Sequence, residues 1–234
     1  MPTDFNSIFT VLFEDNHLLV VNKAAGVLVQ GDVTEDKCLA DYAKEYLKEK
    51  YQKQGNVFCG VVHRLDRPVS GLVILAKTSK ALERMNELFR ENKISKTYWA
   101  LVLQRPKNEE DTLINWLKKD SKKHFSIAYN QEVKDSQRAE LSFKILKNFE
   151  TETLLEVKLV TGRFHQIRSQ LSKIGSKIKG DLKYGATVPN PDASICLHAR
   201  KIQFVHPIKN EPLEIVAPLP KKEFWKNGLE FASN

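Results

Sequence analysis

The sequence predicts an α+β fold, a largely antiparallel mixed sheet flanked by helices and loops. Three observations carry this. Strand-like runs outnumber helical ones, the two kinds do not alternate regularly as βαβ units would, and a hairpin opens the chain almost at once. Phe9 to Asp15 and His17 to Lys23 form that hairpin, broken at the turn dipeptide Asp15-Asn16. Between Asp36 and Gln54, Leu39, Ala43, Tyr46 and Leu47 recur at helical spacing among lysines and glutamates, the pattern of a surface helix. Ser70 to Lys77 is apolar on both alternating faces, as a strand covered on both sides would be. Thr78 or Ser79 then caps a helix with Leu82, Met85, Leu88 and Phe89 on its packing side.

Strands are expected at 95–104, 125–129, 138–148 and 153–160, where β-branched and aromatic residues recur between polar turns. Phe164 to Ile174 reads as a helix stopped by Gly175, and strands near 195–205 and 213–216 follow. Leu72, Ile74 and Val160 are expected in the core. Lys118 to His124 reads as an exposed loop. No repeat, low-complexity tract or Gly/Ser linker divides the chain, so 1–234 is taken as one domain with its core at about 9–220.

With 234 residues the chain can bury roughly 70–75% of its unfolded surface and needs neither disulfide nor metal to hold a core. Its net charge of +8 attracts polyanions, and nucleic acid is the first partner implied. Cys38, Cys59 and Cys196 are odd in number and far apart, which fits a reducing cytoplasm. The N-terminus Met1-Pro2-Thr3-Asp4-Phe5 has no leader pattern, and no run is long and apolar enough to span a membrane. His63, His165, His198 and His206 lack metal-ligand spacing and read as hydrogen-bonding structural residues.

The chemistry concentrates in His63-Arg64-Leu65-Asp66-Arg67-Pro68-Val69-Ser70-Gly71-Leu72. One carboxylate stands there on a Pro- and Gly-containing loop that leads into a buried strand. An aspartate between two arginines is also how a structural ion pair looks. The block resembles the signature of the RluA-type pseudouridine synthases, H-R-L-D, two variable residues, T-S-G-L and an apolar strand ending A-K-T, here Leu75-Ala76-Lys77-Thr78. Three more blocks match in order: Glu14 to Lys23, Thr161-Gly162-Arg163-Phe164-His165-Gln166-Ile167-Arg168, and Gly180-Asp181-Leu182-Lys183-Tyr184-Gly185. Leu197-His198-Ala199, His206-Pro207 and Ala217-Pro218-Leu219-Pro220 also fit, so the resemblance spans nearly the whole chain. Val69 stands for the usual Thr, Ala24 for Pro, Phe164 for a small hydroxyl residue, and Ser176-Lys177 for His-Pro.

The resemblance implies a catalytic domain built around an RNA-binding cleft. The small RNA-binding domain that precedes it in many relatives has no counterpart in this layout, so recognition falls to the catalytic domain or to a partner. It implies isomerisation of uridine to pseudouridine in tRNA or large-subunit ribosomal RNA, with Asp66 as the catalytic carboxylate. That carboxylate acts as nucleophile at the base, as nucleophile at the sugar, or as base at the sugar's 2′ proton. No hydride moves and no water is activated, so neither cofactor nor metal is expected. The resemblance assigns Arg168 to Asp66, Tyr98 to the target base, and Arg64 to the space that base vacates. Arg163, His165, Lys77, Lys177 and Lys183 are the expected RNA contacts, and the enzyme is expected to act as a monomer. A silent RNA-binding protein of the same fold is the alternative. Glycoside hydrolysis would call for a second carboxylate, and none stands out.

Overall fold

The computed structural model describes residues 4–33 and 35–233, so Met1 to Thr3 of the stretch read for a leader lie outside the described residues. In chain order the strands and helices are β1 (Phe9–Glu14), β2 (Leu18–Lys23), α1 (Leu39–Lys50), β3 (Gly60–Val61), β4 (Ser70–Ala76), α2 (Ser79–Arg90), β5 (Ser95–Val102) and β6 (Glu110–Asp120). There follow β7 (Phe125–Tyr129), β8 (Gln137–Asn148), β9 (Thr153–Leu159), α3 (Gln166–Lys173), β10 (Leu197–Val205), β11 (Pro212–Val216) and α4 (Lys226–Ser233). Each pairing with a defined register is antiparallel, which bears out the α+β expectation.

The residues gather into two compact units. One runs up to Ile94 and takes in Ala199–Pro218; the other is Ser95–His198 with the chain from Leu219 on. In the first, β1, β2, β4 and β10 lie side by side, with β11 on β10 and β3 on β4. β4 is buried at all seven positions, which its apolar run on both faces demands. Thr78 caps α2 by accepting from the amide of Ala81, as its position before the helical repeat indicated. α1 buries Leu39, Ala40, Ala43 and Leu47.

In the second unit the strand order is β5-β9-β8-β6-β7. Two elements there escaped the sequence reading. β6 includes Lys118 to Asp120, where the sequence predicts a loop. Its inward positions are Leu113, Asn115 and Leu117, and the central amide breaks the apolar alternation. Asn115 is tolerated because its Oδ1 accepts from Gln170 Nε2 at 2.9 Å and its Nδ2 donates to the Tyr129 carbonyl at 3.4 Å. α4 carries only one fully buried residue of its own, yet Trp225 just before it is enclosed, so the core reaches past residue 220. Val160 is a further correction. β9 ends at Leu159, and Val160 lies in the turn beyond it, 46% exposed.

Candidate active site

The Asp66 turn belongs to the first unit. β3 is only two residues long, and His63 carries its ladder on, since His63 Nε2 accepts from the amide of Ile74 in β4 at 3.0 Å. The His63 ring stacks on Phe89, 5.0 Å between centroids. Leu65 is buried and Arg64 exposed, so the chain is pinned on one side of the carboxylate and open on the other. The Asp66 carbonyl accepts from the Val69 amide at 3.0 Å, closing a turn over Arg67-Pro68. Gly71 follows at φ +113°, and a side chain there would stand 2.4 Å from the Ala199 carbonyl oxygen. Only glycine meets both demands, which accounts for Ser70-Gly71 at the entry to β4.

The far side of the turn is docked onto residues 23–27. Gly26 N–H donates to the Arg67 carbonyl at 2.8 Å, and Arg67 Nε donates back to the Gly26 carbonyl at 2.9 Å. Lys23, at the inward end of β2, is fully buried. Its ammonium donates to the carbonyls of Ala24, Val27 and Arg67 at 2.8, 2.9 and 3.4 Å. Burial pulls the Lys23 pKa down to about 7, the negative charge of Asp66 opposes that fall, and Arg67 adds to it. A buried cation thus shares the environment of Asp66. The sequence reading quoted Asn22-Lys23 without singling the lysine out; a lysine closing the run Leu18-Leu19-Val20-Val21 was the available signal.

Arg168 belongs to the second unit, on the buried side of α3. Its guanidinium is clamped by Asp181, with Nε to Oδ2 at 2.7 Å and Nη2 to Oδ1 at 2.8 Å, both residues nearly inaccessible. It also lies 5.0 Å from the Tyr184 ring centroid. An arginine carried on an exposed helix face is therefore excluded. Asp181 and Tyr184 were missed as site residues, although the block Gly180 to Gly185 had been noted.

The turn before α3 is also tied down. Gln166 Oε1 accepts from the Thr161 hydroxyl and the Arg163 amide at 2.8 and 2.9 Å, and its Nε2 donates to the Glu140 carbonyl at 3.0 Å. His165 starts α3 from a left-handed conformation, φ 53° and ψ 28°, so the helix begins at Gln166 and not at Phe164. The Tyr184 hydroxyl accepts from the Ser126 amide at 2.8 Å and shares a hydrogen bond of 3.0 Å with His165 Nδ1, whose direction follows the imidazole tautomer. Burial, then the charges of Arg168 and Lys183, push the His165 pKa down to about 3, so the ring is neutral.

The remaining expected residues fall in different places. Tyr98 is buried on the same face of β5 as Ala100, as alternation required. Arg163 is exposed and donates from Nε to the Arg138 carbonyl at 3.0 Å; Lys183 is exposed and donates to the His124 carbonyl at 3.2 Å. Lys177 is half-buried, its stem packed 3.1 Å from where a Gly185 side chain would begin. Lys77 is enclosed instead of presented. Its ammonium meets Glu14 Oε1 at 2.7 Å, both side chains more than nine-tenths buried, while Lys50, Tyr51 and Tyr46 also donate to the carboxylate at 2.7, 2.6 and 3.1 Å. Burial alone would raise the Glu14 pKa, but the bonds from Lys50, Lys77 and Tyr51 outweigh it and bring it to about 2. Lys77 serves packing in the first unit. Among the described residues no cluster of three or more His, Cys, Asp or Glu is placed to hold a metal, and no helix is long and apolar enough to cross a membrane.

Residues 17–173 match the model of the RNA pseudouridylate synthase family. The chain belongs to that family. Ribosomal large subunit pseudouridine synthase C of Buchnera aphidicola subsp. Schizaphis graminum is 34% identical over 96% of this chain and 71% of its own length. The protein of the same name from Vibrio vulnificus is 34% identical over 89% of the chain and 65% of its own length. The Bacillus subtilis RNA pseudouridine synthase YlyB is 31% identical over 90% and 69%. The chain thus spans about two thirds of the length of these pseudouridine synthases. Among solved structures, human RNA Pseudouridylate Synthase Domain Containing 4 superposes with a TM-score of 0.77 at 23% identity, covering 95% of this chain and 92% of that one. Human RNA Pseudouridylate Synthase Domain Containing 1 gives 0.74 at 22%, covering 94% and 87%. Both share the pseudouridine synthase fold. Membership makes the chain an enzyme of the RNA-isomerising class, as its motifs implied.

Proposed function

We propose that this chain converts uridine to pseudouridine in large-subunit ribosomal RNA or tRNA, with Asp66 as its catalytic carboxylate. The reaction opens the glycosidic bond, turns the detached base and rejoins it through carbon 5. An ionised carboxylate on a rigid mount suits the bond-opening step, at sugar or base. The observation that carries the reading is the Asp66 turn itself, whose main chain is locked by His63, Gly26 and Gly71, with the buried cation Lys23 at its base. The names of the relatives favour ribosomal RNA as the substrate.

In this reading Arg168 is the cation assigned to the carboxylate, and the Asp181 clamp presets its orientation. Tyr98 lies against the target base, and exposed Arg64 takes the space that base leaves when it is extruded. Arg163, His165, Lys177 and Lys183 contact the RNA. The protein works as a monomer in the cytoplasm, without a cofactor. Three buried free thiols accord with a reducing compartment.

Asp66→Asn tests the reading, since the amide keeps the volume and can still accept hydrogen bonds. Pseudouridine, mapped by reverse transcription after carbodiimide treatment, should fall below detection in the variant while RNA affinity stays within several-fold. Product from the folded variant would place the chemistry on another residue. A parent protein that binds RNA but forms no pseudouridine would establish the silent RNA-binding alternative.

A further inference from the structure

Phe164 is a large aromatic side chain in the turn before α3, 37% exposed. Its inner face is covered by the His165 ring, 3.8 Å between centroids and 19° from parallel. His165 cannot swing away, because its backbone is left-handed and its Nδ1 is held by the Tyr184 hydroxyl at 3.0 Å. Tyr184 is fixed in turn by the Ser126 amide and by Phe125, stacked 4.5 Å away at 17°. Phe164 is therefore the outer leaf of a backed assembly of four rings and not a loose surface residue.

The other face of Phe164 meets the ammonium of Lys119, 4.8 Å from the ring centroid. A ring at 3.8 Å leaves no space on the inner side, so the lysine approaches from outside. Lys119 is exposed, on a long flexible stem, and can leave the ring when something flatter arrives. Lys119 and Lys183 both lie close enough to His165 to lower its pKa, and Arg163, also exposed, directly precedes Phe164. The acidic groups around them are engaged: Asp181 by Arg168, Asp120 by the amides of Lys122 and Lys123, and Glu140 by Arg138. An exposed aromatic face with a cationic rim matches a base with its phosphates, and not an apolar protein surface.

We propose that the outer face of Phe164 is a stacking site for an unpaired nucleobase of the RNA, with Lys119 and Lys183 moving onto the adjoining phosphates. The inference rests on the functional reading above for RNA as the partner, and adds a specificity-determining contact where the family pattern carries a small hydroxyl. Base–aromatic stacking tolerates any base, so the site would select for an unpaired nucleotide beside the target more than for its identity.

The test uses fluorescently labelled decauridylate as the probe, titrated at several salt concentrations into parent, Phe164→Ser, Phe164→Leu and Phe164→Tyr proteins. Affinity should fall about tenfold in the serine and leucine variants and stay within about twofold in the tyrosine variant. The salt slope should be unchanged in all three, since no charge is removed, and should shrink in Lys119→Ala. Circular dichroism reports folding, and the leucine variant carries the test if serine disrupts the turn. Equal affinity in parent, serine and leucine proteins, equal loss in all three variants, or no binding of the probe by the parent would each overturn the proposal. Pseudouridine formation is followed in parallel. Product from a parent whose binding ignores Phe164 sinks this inference alone, whereas Phe164-dependent binding by a parent that makes no product sinks the enzymatic reading and leaves the stack.

Discussion

In the first unit the Asp66 turn is held at its main chain: Gly26 N–H donates to the Arg67 carbonyl, and the side chains of Arg67, His63 and Lys23 each bond to backbone groups. In the second unit Arg168 is held through side chains, the Asp181 carboxylate and the Tyr184 ring, the latter secured by His165 and Ser126. A turn fixed at its backbone groups is most sensitive to an altered conformation, as at Gly71. A guanidinium fixed by side chains is exposed to each of them. The two mounts should therefore fail in different ways.

Gly71→Ala should have the largest effect, because the new methyl meets the Ala199 backbone and the φ of +113° strains any other residue. Strain and overpacking together suggest a loss of about 4 kcal/mol or more, read as a collapse of the chemical-denaturation midpoint. A near-normal midpoint would mean that the turn is not backbone-determined. Asp181→Asn comes next. Leaving Arg168 buried without its counter-charge should cost about 3 kcal/mol and reduce turnover further than RNA affinity. Equal loss of turnover and affinity would make the clamp a plain fold element.

Lys23→Met sharpens the comparison through pH. With a folded pKa near 7 against an ordinary 10.5, the unfolded chain holds a proton across that window and the folded chain does not. This group's contribution to stability therefore rises with pH from about 7 to 10.5, at up to about 1.4 kcal/mol per pH unit. The variant should lose that slope while its stability at neutral pH changes by about 1 to 2 kcal/mol. An unaltered slope would show that Lys23 keeps an ordinary pKa. Tyr184→Phe should be mildest, removing two hydrogen bonds but no ring contact, at about 1 kcal/mol, and shifting the His165 tautomer balance that the Tyr184 hydroxyl biases. Nitrogen chemical shifts of the imidazole would report the tautomer.

Much of this was legible beforehand because strands and motifs obey local rules. The β1–β2 hairpin, the all-buried β4 and the Thr78 cap follow from period and turn chemistry. What was missed depends on partners distant in sequence. β6 was obscured by Asn115, whose burial makes sense only with Gln170 supplied from α3. Lys77 read as a surface cation because nothing local announces that Glu14 will enclose it. Lys23 and Asp181 were hidden likewise, since a buried charge is recognised by its partner and not by its neighbours in the chain. Val160 shows the reverse error, a β-branched residue assigned to the core one position after its strand had ended.

The chain passes from the first unit to the second after Ile94, returns at Ala199 and leaves again after Pro218. On a ribosome this means that β4 waits for β10, its neighbour in the first unit, until the intervening strands and α3 have been made. At roughly 5–20 residues per second, the Asp66 turn spends several seconds without the Ala199 backbone that confines Gly71. The Asp66 turn is written early and cast late, its final backbone constraint arriving only with β10.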